Sequence, residues 1–315
     1  MNISKWKGLI GFGVVLITLI TFATIKVGAG STLIYVEADY SGEEEGSSSK
    51  PYAKIQDAID KAVKEDEDVY VREGKYEENL KLWKDVKLYG SDKDEVMIKA
   101  ENDDDPVVKM YDDSEIFDVT IKEGKYGILV NNGDKAFIQD CIIIDNDDDG
   151  IFIQEAETDK DEMVEIYDSF IAHNGWNGIY SEERKFSIKR NEIYNNDGDG
   201  VEFASDSEGV FEDNLVKDND GVGLRIFIDE SDFYIKDNTF RDNNRSGMEV
   251  GAGGQAGEIV LDKKNKFYKN KNYGIVRVER APFSLDQWNQ SFIIEHGVTF
   301  WDNDNSEISQ LVKVY

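Results

Sequence analysis

The feature that most constrains this chain is a motif returning in one frame. Asparagine is followed four residues later by glycine at Asn146/Gly150, Asn174/Gly178, Asn196/Gly200, Asn219/Gly223, Asn243/Gly247 and Asn270/Gly274. Successive glycines stand 28, 22, 23, 24 and 27 residues apart, and most precede two apolar residues separated by one, as in Ile151 and Ile153, Val201 and Phe203, or Leu224 and Ile226. That alternation is the period of a strand. Upstream, apolar residues flank a polar corner, as in Ile188-Lys-Arg-Asn191-Glu-Ile193 and Phe211-Glu-Asp-Asn214-Leu-Val216. Each repeat therefore predicts three short strands separated by tight bends, with no stretch long enough for a helix. A unit this short cannot bury its apolar side alone, whereas stacked coils share one core and pair every strand with the coils above and below. About ten coils at ~4.8 Å each would make a rod roughly 45 to 50 Å long.

Both recurring residues have structural uses. Asparagines stacked at a corner can hydrogen-bond from coil to coil, and Gly or Asn accepts the left-handed backbone of a sharp bend. Near the end the pattern decays. Phe300 and Asn303 keep frame, no glycine follows, and Ile308 to Tyr315 predicts a closing strand. The single cysteine, Cys141, lies in an apolar run and is expected to be a buried small hydrophobe. It excludes an intrachain disulfide framework and a Cys-based zinc site.

The opening of the chain reads Ile34-Tyr-Val-Glu-Ala-Asp39, an acidic Gly/Ser loop, Pro51-Tyr-Ala-Lys-Ile-Gln-Asp-Ala-Ile-Asp-Lys-Ala62, then Val69-Tyr-Val-Arg-Glu-Gly-Lys-Tyr76. With the repeats, it resembles the right-handed parallel β-helix of the pectate-lyase-like superfamily over residues 33–315. The resemblance implies an all-β solenoid and, in the family's polysaccharide enzymes, a substrate groove on one strand face. Within the opening, Tyr52, Ile55, Ala58, Ile59, Ala62 and Val63 fall on one helical face, with Pro51 suited to the first turn. We read this as a helix capping the open end of the stack. The expected organisation is residues 1–30 as a membrane segment, 31–68 as strand, acidic loop and capping helix, and 69–315 as β-helix.

Residues Leu9 to Ile25 form an apolar run preceded by Lys5 and Lys7 and followed by Lys26. This predicts one transmembrane helix holding an extracytoplasmic body, membrane-anchored, or secreted if the chain is cleaved near Val27-Gly28-Ala29. The chain carries 66 Asp and Glu against 36 Lys and Arg, a net charge of −30. Nucleic acid is excluded as a natural partner, because its binders need a cationic footprint.

If the residues directly after each glycine face inward, the next ones stack into an outward row: Phe152, Tyr180, Glu202, Arg225 and Glu249. Arg277 would extend it only through a bulge that corrects the phase. Aromatic rings beside carboxylates and a guanidinium suit a polysaccharide or cell-surface glycan. The same charges also suit a cross-strand ion ladder. Trp176, in the Asn-to-Gly loop, and Trp288, in the long loop from Glu279 to Phe292, are candidate sugar platforms or, equally, rings lying flat against the rod; that loop and Gln154 to Met163 would wall a groove.

Catalytic patterns are sparse. Arg280-Ala-Pro282 is similar to the Arg-x-Pro fragment of pectate lyases, but Leu285 stands where the second arginine belongs. The polygalacturonase Gly-His-Gly and paired-aspartate set is missing, and the alginate-epimerase pattern of tyrosine, aspartate and histidine is missing too. No catalytic residue is assigned. Two acidic turns, containing Asp147 and Asp149, and Asp197 and Asp199, imitate the start of a calcium loop and are candidate ligands for that ion, the one cofactor considered. The leading expectation is a non-catalytic surface scaffold or carbohydrate-binding protein. The alternatives are a polysaccharide lyase, epimerase or glycosidase using the outward face, and a protein-adhesion rod.

Overall fold

The computed structural model describes residues 32–155, 162–204, 206–253, 257–279 and 283–313. The predicted membrane segment, most of the loop after Gln154, Arg280 to Pro282 and Tyr315 lie outside them. Among the described residues no helix is long and apolar enough to cross a membrane.

The strands form three parallel sheets of eleven, ten and eleven strands, and the chain visits them in turn. One coil shows the rule. Lys185–Lys189 lies in the first sheet, a corner at Asn191 leads to Glu192–Tyr194 in the second, and the Asn196-to-Gly200 turn leads to Val201–Phe203 in the third. Each strand pairs in register with its counterpart one coil away, as Ile193 does with Ile171 and Val216. Inward residues therefore stack into continuous rows. In the second sheet one row runs Ile98, Ile121, Ile143, Ile171, Ile193, Val216, Phe240 and Phe267, all buried. Each such side chain adds roughly 1.5–3 kcal/mol by leaving water.

The asparagines do what the spacing predicts. Asn146, Asn174, Asn196, Asn219, Asn243, Asn270 and Asn303 form one ladder, each Nδ2 donating to the Oδ1 of the next at 2.9–3.1 Å. A second ladder, Asn191, Asn214, Asn238 and Asn265, repeats this at 3.1 Å. Cys141 and Ser169 head that column, and the Cys141 amide donates to Ser169 Oγ. Burial makes Cys141 a poor thiolate, its pKa pushed up to about 12.

The glycines serve a different purpose from the one expected. The left-handed residue at each turn is the one before the asparagine: Asp145, His173, Asn195, Asp218, Asp242, Lys269 and Asp302 all have φ of 54–57°. The motif glycines are needed for close approach. A Cβ on Gly178 would lie 2.6 Å from the Gly200 carbonyl oxygen and 2.9 Å from Asn196 Nδ2.

The capping helix, α1 (Ile55–Glu65), buries Ile55, Ala58, Ile59 and Ala62 against the first coil. It starts later than predicted because Tyr52 exchanges backbone hydrogen bonds with Tyr35 and Glu37, holding Pro51 and Tyr52 extended; Val63 is exposed. The helix has no local N-cap. Instead the buried Glu78 carboxylate accepts from the amides of Ile55 and Gln56 at 2.8 and 3.0 Å, tying cap to coil.

Candidate functional site

The outward row of the third sheet is built as the repeat predicts. Phe152, Tyr180, Glu202, Arg225 and Glu249 register directly on one another along successive coils. Arg277 does not extend it. Ile275 pairs with Met248 without a bulge, so Val276 takes the outward place and Arg277 falls into the inward row beside Val250.

The aromatic half of the face is a stack. Tyr126 lies 4.9 Å from Phe152, and Phe152 lies 5.4 Å from Tyr180 with the rings only 6° from parallel. The Tyr180 hydroxyl donates to Glu182 at 3.2 Å. Partial burial, then Glu182, pushes its pKa up to about 12.

The charged half differs from a simple ladder along the row. Arg225 turns toward the preceding turn, where its Nε and Nη2 meet the two oxygens of Asp199 at 2.6 and 3.3 Å; Glu249 is 3.6 Å from Nη1. Asp199 is itself buried and accepts from the Val222 amide at 2.6 Å. It ends a third side-chain ladder: Asp149 Oδ1 accepts from the Asn177 amide at 3.0 Å, and Asn177 Oδ1 from the Asp199 amide at 2.8 Å. Asn177 Nδ2 also reaches Glu202 at 3.5 Å. Sequence reasoning missed Asn177, although the residue before each motif glycine is Asp149, Asn177 and Asp199 in three consecutive repeats.

These contacts separate the four carboxylates considered for calcium. Asp147 and Asp197 are exposed, whereas Asp149 and Asp199 are buried in the ladder, Asp199 already paired with a guanidinium. Among the described residues no group of three or more His, Cys, Asp or Glu is arranged to hold a metal. Asp149 is the unusual acid. Burial, followed by the repulsion of Asp148 and Glu202, outweighs the Asn177 hydrogen bonds and pushes its pKa up to about 7.

The two tryptophans part company. Trp176 projects from its turn, 59% exposed beside the face. Trp288 takes the packed placement: it sits on a short helix, α2 (Leu285–Ser291), that folds the loop back, and it is buried edge-on against Phe283. It offers no platform for a sugar.

The family model of a right handed beta helix region matches residues 107–183 and 126–286. The chain belongs to this right-handed β-helix family. No curated protein matches it in sequence. Among solved structures, the A-module of the Azotobacter vinelandii mannuronan C-5 epimerase AlgE6 superposes with TM-score 0.58 at 16% identity, over 83% of this chain and 94% of that one. Dettilon tailspike protein gives 0.57 at 15% identity, over 90% of this β-helix and 62% of the tailspike. The enzymatically active domain of bacteriophage CBA120 tailspike protein 2 gives 0.53 at 10%, over 81% and 44%. At these identities the likeness is one of fold.

Proposed function

We propose that this β-helix binds a polysaccharide or cell-surface glycan on its third sheet, as a membrane-anchored extracytoplasmic protein without chemistry of its own. One observation carries the reading. A ring stack, Tyr126, Phe152 and Tyr180, runs directly into Glu202, Arg225 and Glu249 on the same face, with Trp176 exposed at its edge. Rings bind sugar faces, and the charged groups fix hydroxyl orientation. A structural neighbour named for mannuronan and two tailspikes support the class of ligand. Because Arg225 is held by Asp199, a uronate would have to displace that carboxylate to reach it. The test is a glycan array with calcium and with chelator. Tyr180→Ala and Trp176→Ala should each weaken retention roughly tenfold, and an array that retains no glycan contradicts the reading. The calcium arm asks whether the exposed Asp147 and Asp197 recruit the ion.

A second reading, a polysaccharide lyase, epimerase or glycosidase, is favoured by Asp149. A carboxyl that holds its proton near neutrality beside Glu202, which is further out on the face, has the division of labour of an acid and a base. Release of reducing ends or unsaturated products, abolished by Asp149→Asn, would replace the non-catalytic reading.

A further inference from the structure

The outward row of the third sheet does not begin at Phe152. Register carries it back through Leu129 and Lys109 to Lys81, one residue per coil. A third lysine, Lys125, stands in the turn that leads into the Leu129 strand. Lys81 and Lys125 are exposed and Lys109 is half-buried. Each amine lies over a ring: Lys81 Nζ is 5.8 Å from the Trp83 centroid, Lys109 Nζ 5.4 Å from that of Tyr111, and Lys125 Nζ 5.4 Å from that of Tyr126. Elsewhere on the sheets lysines pair with a carboxylate one coil away, as Lys87 does with Glu115 at 2.6 Å and Lys217 with Glu192 at 2.7 Å. Among the described residues Lys81, Lys109 and Lys125 form no ion pair, and Asp112 is engaged by Lys84 at 2.8 Å. In a chain of net charge −30, three uncompensated cations on neighbouring coils of one face stand out.

A ring face holds an ammonium group in place without neutralising it. These charges therefore remain available at the surface, and the ring stack leads straight to them: Lys109 is two coils from Phe152, roughly 10 Å at ~4.8 Å per coil. The opposite end of the row repels anions, since Arg225 is engaged by Asp199 and flanked by Glu202 and Glu249. A neutral glycan gains nothing from the lysines, whereas acidic groups gain at that end alone. We infer that the N-terminal part of this face is a subsite for acidic sugars, Lys81, Lys109 and Lys125 receiving the carboxylates or sulfates of a glycan whose sugar faces lie on Tyr126, Phe152 and Tyr180. The inference rests on the proposed glycan reading and gives the bound chain a direction, its acidic segment toward the capping helix and away from Glu202 and Glu249.

The experiment titrates the full-length chain, in non-ionic detergent, with a mannuronate hexamer, a sulfated mannose hexamer and a neutral mannose hexamer by calorimetry. At least one acidic hexamer should bind roughly fivefold tighter than the neutral one, the tighter of the two naming carboxylate or sulfate as the group received, and the advantage should fade between about 0.02 and about 0.5 M NaCl. The double substitution Lys81→Gln with Lys109→Gln, at side chains outside the core, should bring the acidic hexamer down to the affinity of the neutral one. Tyr180→Ala should weaken acidic and neutral hexamers alike. Equal binding of acidic and neutral hexamers, or an acidic affinity that survives the double substitution, overturns the subsite while Tyr180→Ala still upholds the glycan face. Acidic binding lost with the lysines but untouched by Tyr180→Ala upholds the cationic subsite and contradicts the ring platform. Retention of none of the three hexamers overturns the subsite.

Discussion

The two ends of the stack are finished in different ways. At the N-terminal end α1 lays an apolar stripe over the first coil and is pinned there by Glu78. At the other end the core row terminates on Arg277, while Ile294, Trp301 and Val312 stay 37–41% exposed. A solenoid end exposes unpaired strand edges and core side chains. One end is covered by a separate element; the other tapers, with a polar side chain replacing the apolar row and two short strands, Ser306–Ile308 and Val312–Lys313, both pairing with Tyr273–Glu279. The contrast teaches that continuous burial, more than the repeat motif itself, sets local stability.

The largest test of that contrast is a charge placed in each end. Ile59→Asp, in the buried stripe of α1, should destabilise the chain by about 4 kcal/mol or more in urea unfolding, whereas Ile308→Asp, half-buried in the taper, should cost about 1 kcal/mol. Equal losses would break the comparison.

Charge buried inside the stack gives the next effect. Asp149 holds its proton up to about pH 7 in the folded chain, well above the usual carboxylate range. Between about pH 4 and 7 the folded state binds more protons than the unfolded one, so stability is highest below that window and falls as pH rises through it. The loss is on the order of 4 kcal/mol. Asp149→Asn, which keeps an acceptor for the Asn177 amide, should flatten this slope and stabilise the chain at pH 8.

The asparagine ladder sharpens the comparison further. Asn219→Ala strips a buried acceptor from the Asn196 amide and side chain, and a donor from Asn243 and Ile193, for a loss of about 3 kcal/mol. Asn303→Ala, at the partly buried last rung, should lose about 1 kcal/mol. The smallest effect is expected of Glu78→Gln: its one amide oxygen keeps one α1 amide while the other loses its acceptor, a loss partly offset because burial already disfavours the Glu78 charge, leaving about 0.5–1 kcal/mol in the same unfolding assay.

Much of this was legible because each coil is short and its strands pair in parallel, so one residue per repeat maps onto one row. That logic yielded the Asn174 to Asn243 ladder and the row from Phe152 to Glu249. It failed where geometry lies in the turns rather than along the strands. Nothing in the strand period says that Arg225 swings back to Asp199, or that Asp149 and Asp199 accept amides from the next coil instead of facing solvent for a cation. The glycines were placed correctly and misread in purpose, because close approach between coils is a property of the stack and not of one turn. The place of Trp288, open between platform and packing, is decided by α2, which folds its loop inward; its capping box, Ser284 with Gln287, is the local signal that could have announced the helix.

The central claim is that the asparagine rows run unbroken through the stack, each backbone amide held by the side chain above. Residue-resolved hydrogen exchange tests it most directly. The amides of Asn146, Asn174, Asn196 and Asn219, each donating to the next asparagine's Oδ1 at 3.1–3.3 Å, should exchange only through global unfolding, and that of Asn270, bonded to the last rung, faster. Exchange of the four interior amides at the rate of exposed loops would contradict the stacked architecture and, with it, the face it builds.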